Sequence, residues 1–420
     1  MSIQLKIGLF LLFLGVFNKN LADTTKELQM GDHAYEKTIK TVILNHPGDI
    51  RNDAFQSDAI PLSQTNPLFL EFDDLREDAD YYFVMVIHCN ADWSRSEMKD
   101  IEFLFDYNEF EIQDFEFSID TRIPYVHYRI RVPKVRLPGN YVLVVYRGNN
   151  TRDIILSKRF LVYDRSIAIQ ASLGLSSGVV QRDLNHQIEF KVNYGSLNIS
   201  FPTEEIKVVI RQNKRWDNAI TGLKPTFVRA DLGELEYHHF NFENNFQAGN
   251  EFRLFDTRTL KFRGNGVGAI QDTGDGPEVF LYSDKSRGNI AYSIPVNEDL
   301  DGQFILENAD NGPANIASEY SWIHFHLEHP KLREEVYVAG SFSNWEKSPS
   351  YRMAYENNSY NASVLLKQGW YNYMYLVDGN DPNRLEGNYK NTRNQYEILV
   401  YFSKQGSRGD LLLGYAKLGN

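Results

Sequence analysis

The chain has 420 residues, a formal net charge of −12 and a sequence pI near 5.4. This length suggests two to four domains of roughly 100–200 residues each, and the acidic balance argues against a general binder of nucleic acids or anionic membranes. Hydrophobic residues make up 42% of the chain, and the 25 Tyr and 27 Phe favour strands because aromatic side chains pack well on a pleated, half-buried face.

Residues 1–22 are predicted to be a secretory signal peptide. Lys6 supplies the positive n-region, residues 7–17 form a short apolar stretch, and Ala22 can precede the cleavage site. A membrane anchor is the weaker alternative, since a bilayer span needs about 20 apolar residues. Cys89 is the only cysteine, which excludes an intramolecular disulfide. An exported chain of large β domains without disulfides fits a bacterial periplasm.

The first predicted domain spans residues 23–165. Short runs of alternating apolar and polar residues follow one another, with turn signals such as Pro138-Gly139-Asn140 between them. This spacing is typical of an immunoglobulin-like sandwich. The predicted strands are 39–44, 68–72, 81–89, 101–112, 123–132, 141–146 and 158–163.

The central predicted domain spans residues 166–320 and begins after the polar segment 164–166. Its most informative stretch is 206–262, where a β-branched strand, a polar break at 212–217 and further alternating runs show no helical spacing. We expect this middle sandwich to contact both of its neighbours. The predicted strands are 167–173, 187–194, 206–211, 226–228, 251–262, 279–283 and 302–307.

The last predicted domain spans residues 321–420 and forms a smaller sandwich. The fold class is therefore all-β, with three consecutive immunoglobulin-like β-sandwich domains after a signal peptide. The predicted strands are 322–327, 335–340, 360–366, 369–378 and 396–402, with 410–415 at an edge.

A histidine cluster at the start of the last domain is the one arrangement that suggests a metal. Alternation places His324 and His326 on one strand face, so a metal could bridge them, and His329 follows at a turn. Nothing fixes a fourth ligand, and histidines on a solvated face are the alternative. The sequence leaves open whether these residues bind a metal.

Motifs for catalysis do not stand out in the chain. It contains no G-x-S-x-G, no H-E-x-x-H and no phosphate-binding loop followed by a helix. We therefore predict a non-catalytic protein without a cofactor, a small-molecule substrate or a nucleic-acid partner.

Residues 336–379 resemble glycogen-binding modules with an early-set immunoglobulin fold. Gly340, Phe342 and Trp345 match a G-x-F-x-x-W strand end, and the segment from Trp370 to Gly379 matches the following strand with its V-D-G turn. The resemblance implies a sugar contact at Trp345 and at Trp370. The second tryptophan that the family places after V-D-G is replaced here by Asn380-Asp381-Pro382. Packing of Trp345 on its own sandwich is the alternative.

A resemblance to the plug protein family of the type IX secretion system covers nearly the whole mature chain. One departure is the hairpin at 132–139, which is shorter than in the family. The matching stretches are HCNADW at 88–93, YVHYRIRVP at 125–133, PGNYVLVVY at 138–146, VVIRQNKRWDNAITGLKPTFV at 208–228, NEFRLFDTRTLKFRGNGV at 250–267 and QYEILVYFSKQGSRGDLLLGY at 395–415.

This resemblance implies a soluble periplasmic subunit that closes the periplasmic mouth of a giant outer-membrane β-barrel translocon. For the contacts with the barrel we predict exposed aromatic and basic residues in turns, because such residues commonly anchor interfaces. The candidates are Lys214, Arg215, Trp216, Arg263 and Arg408. The alternative reading places Trp216 in the core and leaves the charges solvated. The competing function is glycan binding through Trp345 and Trp370.

Overall fold

The computed structural model describes residues 26–46, 58–195, 197–274, 276–295, 299–310 and 312–419. The signal peptide predicted at 1–22 lies outside these ranges. The described chain forms three sandwiches of two sheets each, which confirms the all-β prediction. No helix in these ranges is long and apolar enough to cross a membrane. The short helices are α1 (Asp100–Phe103), α2 (Pro202–Glu205) and α3 (Ala314–Ala317), with 3-10 turns at Gln181–Asp183 and Ser341–Ser343.

The first sandwich contains ten strands and a core of aromatic and branched residues. Its strands are β1 (His33–Ala34), β2 (Ile39–Asn45), β3 (Ala59–Pro61), β4 (Phe69–Asp74), β5 (Tyr82–Cys89), β6 (Phe110–Glu111), β7 (Asp114–Phe117), β8 (Val126–Arg131), β9 (Gly139–Arg147) and β10 (Ile154–Tyr163). One sheet has the order β1-β10-β9-β5-β6, with β3 beside β10, and the other has the order β2-β4-β8-β7. Between them, the rings of Phe72 and Tyr128 stack with centroids 5.1 Å apart.

The middle sandwich begins with seven strands. These are β11 (Ala168–Leu175), β12 (Asn185–Asn193), β13 (Ile206–Gln212), β14 (Ile220–Thr221), β15 (Phe227–Arg229), β16 (Glu234–Tyr237) and β17 (Asn245–Gln247). One sheet has the order β11-β12-β16-β15, and β17 also pairs with β12. The other sheet starts with the pair β14-β13 and is incomplete without strands from farther along the chain.

The last sandwich follows at once and begins earlier than predicted. Its strands are β18 (Arg253–Asp256), β19 (Val267–Asp272), β20 (Pro277–Leu281), β21 (Asp284–Lys285), β22 (Phe304–Leu306), β23 (Tyr320–Glu328), β24 (Val336–Ala339), β25 (Ala354–Glu356), β26 (Ser359–Lys367) and β27 (Gly369–Val377). One sheet has the order β18-β27-β22, with β24 also on β27, and the other has the order β19-β20-β23-β26-β25, with β21 on β23.

The chain then returns to the middle sandwich with β28 (Gln395–Phe402) and β29 (Leu411–Gly419). Strand β28 pairs with β13 in register from Ile206 opposite Phe402 to Gln212 opposite Tyr396. The last sandwich is therefore inserted into the middle one, and the predicted boundary between 166–320 and 321–420 is corrected. The reason is physical: β13 is buried at six of its seven residues, and such a central strand needs partners on both sides.

A buried ion network joins the first and middle sandwiches. The guanidinium of Arg211 on β13 is fully buried and donates two hydrogen bonds to Asp58, at 2.6 and 2.8 Å. Its Nε donates to Glu397 on β28. Burial alone would raise the pKa of Asp58, but the neighbouring Arg211 charge lowers it overall. Asp58 and Arg211 therefore remain charged, and the network fixes how the two sandwiches meet.

A second buried ion pair joins the first and last sandwiches. Lys367 on β26 places its Nζ 2.6 Å from Asp73 on β4, and both side chains are at most 1% exposed. Asp73 also accepts hydrogen bonds from Tyr320 at 2.6 Å and from His127 at 2.7 Å. The carboxylate is thus surrounded by donors, which is the condition under which a buried charge is tolerated.

Substitution of Lys367 should test this link. In Lys367→Met the charge of Asp73 stays buried without its cation, so we expect the free energy of unfolding to fall by about 3–5 kcal/mol. The matched control is Lys347→Met, whose partner Asp378 is on the surface and whose loss should cost about 1 kcal/mol or less. Urea denaturation followed by tryptophan fluorescence measures both variants. Equal losses in the two would contradict a structural role for the buried pair.

Candidate partner interface

The polar turn at 212–217 connects β13 to β14 and carries three of the predicted contact residues. Asn213 and Lys214 have φ values of 52° and 59°, a left-handed conformation that reverses the chain within two residues. This tight reversal directs the side chains of Lys214, Arg215 and Trp216 toward the meeting point of the three sandwiches.

Trp216 packs against the first sandwich. Its ring meets Trp93 edge to face with centroids 4.9 Å apart. Two guanidinium groups flank the same ring, with Arg211 at 4.7 Å and Arg159 at 5.3 Å from its centroid. Such cation–π contacts strengthen when they are withdrawn from water, so Trp216 holds two sandwiches together.

Arg215 reaches the last sandwich. It is 7% exposed, binds Asp217 with two hydrogen bonds of 3.0 and 2.6 Å, and lies 4.2 Å above the ring of Trp345. Trp345 is itself 6% exposed. Its ring rests on Gly302, where an added Cβ would approach the indole to 2.6 Å. We call Trp93, Arg215, Trp216 and Trp345 the joint, because they connect all three sandwiches.

The joint surrounds a small charged cavity of about 70 Å³. Lys214 lines it together with Asp32, Asp58 and Arg159, and burial lowers the pKa of the Lys214 ammonium. Burial and the neighbouring Asp299 raise the pKa of Asp301 to about 7, although the nearby Lys214 charge opposes this shift.

The prediction that Lys214, Arg215 and Trp216 form an exposed contact surface does not agree with this arrangement. Arg215 is buried and the other two are half-buried, so the alternative of an interior Trp216 describes the turn better. A polar turn is usually solvent-exposed, but this one lies where three sandwiches converge. Arg215 and Asp217 of the turn pair with each other inside the protein.

The remaining predicted contacts lie on the surface in two different sandwiches. Arg263, between β18 and β19, is exposed and donates a hydrogen bond of 3.0 Å to the carbonyl of Gly268. Beside it Phe262 is 75% exposed. Arg408, between β28 and β29, is exposed and pairs with Glu102 at 2.9 Å. Both guanidinium groups stay accessible to a partner.

The two tryptophans predicted to contact sugar are both covered by arginine. Trp345 lies under Arg215, as described above, and Trp370 on β27 lies 4.9 Å below Arg258. Arg258 is held in place by Asp256 at 2.7 Å and Glu307 at 3.1 Å. On the face that each arginine covers, a sugar ring could stack only after that arginine moved.

The predicted histidine cluster does not converge. His324 and His326 lie on the same face of β23, as alternation predicts, in a shallow depression of about 350 Å³. Their Nδ1 atoms contact Ser363 at 2.8 Å and Asn361 at 2.7 Å, whereas His329 contacts the carbonyl of Pro330. Within the described residues no group of three or more His, Cys, Asp or Glu could hold a metal ion.

Sequence reasoning missed an exposed stretch of the first sandwich at residues 105–120. It contains six carboxylates, no lysine and no arginine, and none of the six forms an ion pair with the residues that the structure describes. Tyr107, Phe115, Phe117 and Ile119 are between 42% and 83% exposed there. The signal was present as an acidic, aromatic run without basic residues, but residues 105–112 were read as part of a strand and residues 113–120 fell between two predicted strands.

The pKa of Asp301 leads to a test of the charges beside the joint. A folded pKa of about 7 means that the native state holds a proton that the unfolded state releases above pH 4, so this group lowers stability as pH rises toward 7. Asp301→Asn should therefore stabilise the protein more at pH 8 than at pH 5, by about 2 kcal/mol.

Asp120→Asn is the matched control for this test, since Asp120 is exposed and also has a positive φ, of 56° against 51° for Asp301. Urea denaturation at the two pH values measures the gain in each variant. The same gain at pH 5 and pH 8 in Asp301→Asn would show that the buried carboxyl carries no such proton.

Comparisons with known proteins address the two resemblances. Residues 39–164 match the family described as "Type 9 secretion system plug protein 1st domain", and residues 324–400 match "Glycogen recognition site of AMP-activated protein kinase". No curated protein matches the chain. A crystal structure of a hypothetical protein from Parabacteroides merdae ATCC 43184, at 2.30 Å resolution, is similar over 94% of this chain and 100% of that chain, with 29% identity and a TM-score of 0.87.

These matches fit the observed architecture. The first segment, 39–164, runs from β2 to the end of the first sandwich, and the second lies mainly in the last sandwich and ends within β28. Both resemblances read from the sequence are thereby confirmed. Residues 39–164 are thus similar to the first domain of a type IX secretion system plug protein, and residues 324–400 are similar to a glycogen recognition site.

Proposed function

We propose that the chain is a non-catalytic subunit of the type IX secretion system that binds the periplasmic opening of the outer-membrane barrel translocon and closes it. The observation that carries this proposal is the match of residues 39–164 to the first domain of the plug protein. The protein would act in the periplasm, associated with the outer membrane through its protein partner and exported by the signal peptide at 1–22.

The way in which the sandwiches are connected supports this role. A plug must present one fixed surface against a wide pore. Buried ion pairs at Arg211 and Lys367, together with the joint, tie each sandwich to the other two. A block held in this way can dock with little change of shape and so avoids the entropic cost of folding on binding.

The first test of this function is affinity purification of the tagged mature protein from detergent-solubilised envelopes. We expect recovery of one very large outer-membrane barrel near a one-to-one ratio. Arg263→Glu and Arg408→Glu, each at an exposed predicted contact, should lower recovery about tenfold, as expected if reversal of an interfacial charge costs about 1.4 kcal/mol.

Arg152→Glu provides the matched control, because Arg152 lies exposed in a turn of the first sandwich and was not a predicted contact. Thermal unfolding of all variants should stay unchanged. A purification that captures no barrel would overturn the proposed function. Capture that is lost equally in the Arg152 control would overturn the assignment of Arg263 and Arg408.

Glycan binding remains the second candidate because residues 324–400 match a glycogen recognition site. The arginines over Trp345 and Trp370 argue against it. In a titration of the full mature chain with maltoheptaose we therefore expect no saturable change in tryptophan fluorescence.

The full chain is required for this titration, because β28 and β29 complete the middle sandwich and a fragment from residue 321 would leave β28 without its other partner, β13. Trp370→Phe serves as the comparison variant. A saturable change in the wild type that disappears in Trp370→Phe would favour the glycan function over the plug.

A further inference from the structure

Strand β7 of the first sandwich is an unprotected sheet edge. It lies at the end of the order β2-β4-β8-β7, and among the strands that the structure describes it pairs only with β8. All four of its residues, Asp114 to Phe117, are exposed. Edge strands are often blunted by short length, by charged side chains (above all lysine), by proline or by a bulge; β7 is short and carries two carboxylates, but it has no lysine, proline or bulge. Its outer row of backbone groups is therefore available for another strand.

The side chains of β7 divide into an apolar row and an acidic row. Phe115 and Phe117 lie opposite Tyr128 and Val126, which are fully buried, so the two phenylalanines extend the core face of the sheet. They are nevertheless 42% and 52% exposed, with ring centroids 6.1 Å apart. A further strand beside β7 would cover these rings and remove apolar surface from water.

The acidic row decides which strand can pair there. Asp114 and Glu116 alternate with the phenylalanines, and the surrounding stretch 105–120 has four more carboxylates without any basic residue. Pairing of β7 with a second copy of itself would bring like charges together, which is unfavourable. A strand with lysine or arginine at alternate positions would neutralise the row and place apolar residues over the phenylalanines.

The end of the edge limits how long the added strand can be. Beyond β7, the backbone N–H of Ile119 donates to the carbonyl of Ile316 at 2.8 Å, so the last sandwich closes the edge there. The side chain of Asn315 also reaches Glu116, at 3.3 Å. The open edge thus accommodates a short segment of about four or five residues, given the rise of roughly 3.3 Å per residue in a strand.

We propose that β7 is the docking edge for an extended segment of a partner protein, in which apolar residues alternate with lysine or arginine. The segment adds as a strand, so that backbone hydrogen bonds supply affinity and the alternating side chains supply specificity. This edge is independent of the proposed function, since it is defined by the chemistry of the segment and not by the protein that provides it.

A labelled ten-residue peptide of alternating lysine and valine is the probe, and fluorescence anisotropy at physiological ionic strength measures its binding to the full mature chain. We expect the lysine–valine peptide to bind saturably. A glutamate–valine peptide of equal length should bind at least tenfold more weakly. Binding should also weaken several-fold for the lysine–valine peptide with a central proline, because proline removes a ladder hydrogen bond.

Charge reversal on the protein locates the site. Asp114→Lys combined with Glu116→Lys should weaken the lysine–valine peptide at least tenfold. The control combines Glu204→Lys with Asp231→Lys, two exposed acids of the middle sandwich, and changes the net charge by the same amount. Equal weakening in both double variants would mean attraction to the whole acidic surface and would overturn the docking edge.

Amide hydrogen exchange gives a second measurement, which electrostatic attraction alone would not change. Bound peptide should slow exchange at residues 114–117, because their outward N–H groups gain partners, while thermal unfolding shows that the variants remain folded. Binding without protection of these amides would overturn strand addition. If the unsubstituted chain does not bind the lysine–valine peptide but still captures the barrel, this edge is rejected and the proposed function stands.

Discussion

The buried guanidinium of Arg211 is the interaction on which the arrangement of the sandwiches depends. A charge withdrawn from water is tolerated only when partners surround it, and here those partners come from two sandwiches: Asp58 from the first and Glu397 from the returning strand β28. The ring of Trp216 covers the same group at 4.7 Å. Displacement of either sandwich would leave a buried charge uncompensated. The network therefore strongly favours this relative placement of the two sandwiches over slightly shifted ones.

Much of the fold could be predicted because alternation reports which residues face inward. The strands expected at 206–211 and 396–402 correspond closely to β13 and β28. Their pairing could not be predicted, since a period of two identifies a buried face but not the strand beside it. Neighbours in sequence usually pair, and that rule assigned 396–402 to the last sandwich. The structure identifies β28 as the partner of β13, whose residues are buried on both faces of the sheet.

The candidate site was harder to predict than the fold. Arginine and tryptophan in a polar turn suggest an exposed anchor, and the same residue types also serve well inside a junction, where Arg215 can stack on Trp345 and bind Asp217. Sequence does not distinguish the two settings, because exposure depends on how whole domains meet. The acidic edge at β7 went unnoticed because residues 113–122 lie between two predicted strands, and nothing in the sequence shows that a sheet ends there.

Insertion of the last sandwich into the middle one has a consequence for the order of events during folding. Arg211 and Glu397 are 186 residues apart in sequence. Strand β13 therefore cannot pair with β28 until nearly the whole chain is available. The inserted sandwich is built largely from strands closer together in the chain and can form first, bringing the two ends of the interrupted sheet together and lowering the entropy cost of closing so long a loop. The middle sandwich can close only when both of its halves are present, because β13 and β28 lie on either side of the inserted sandwich in the chain.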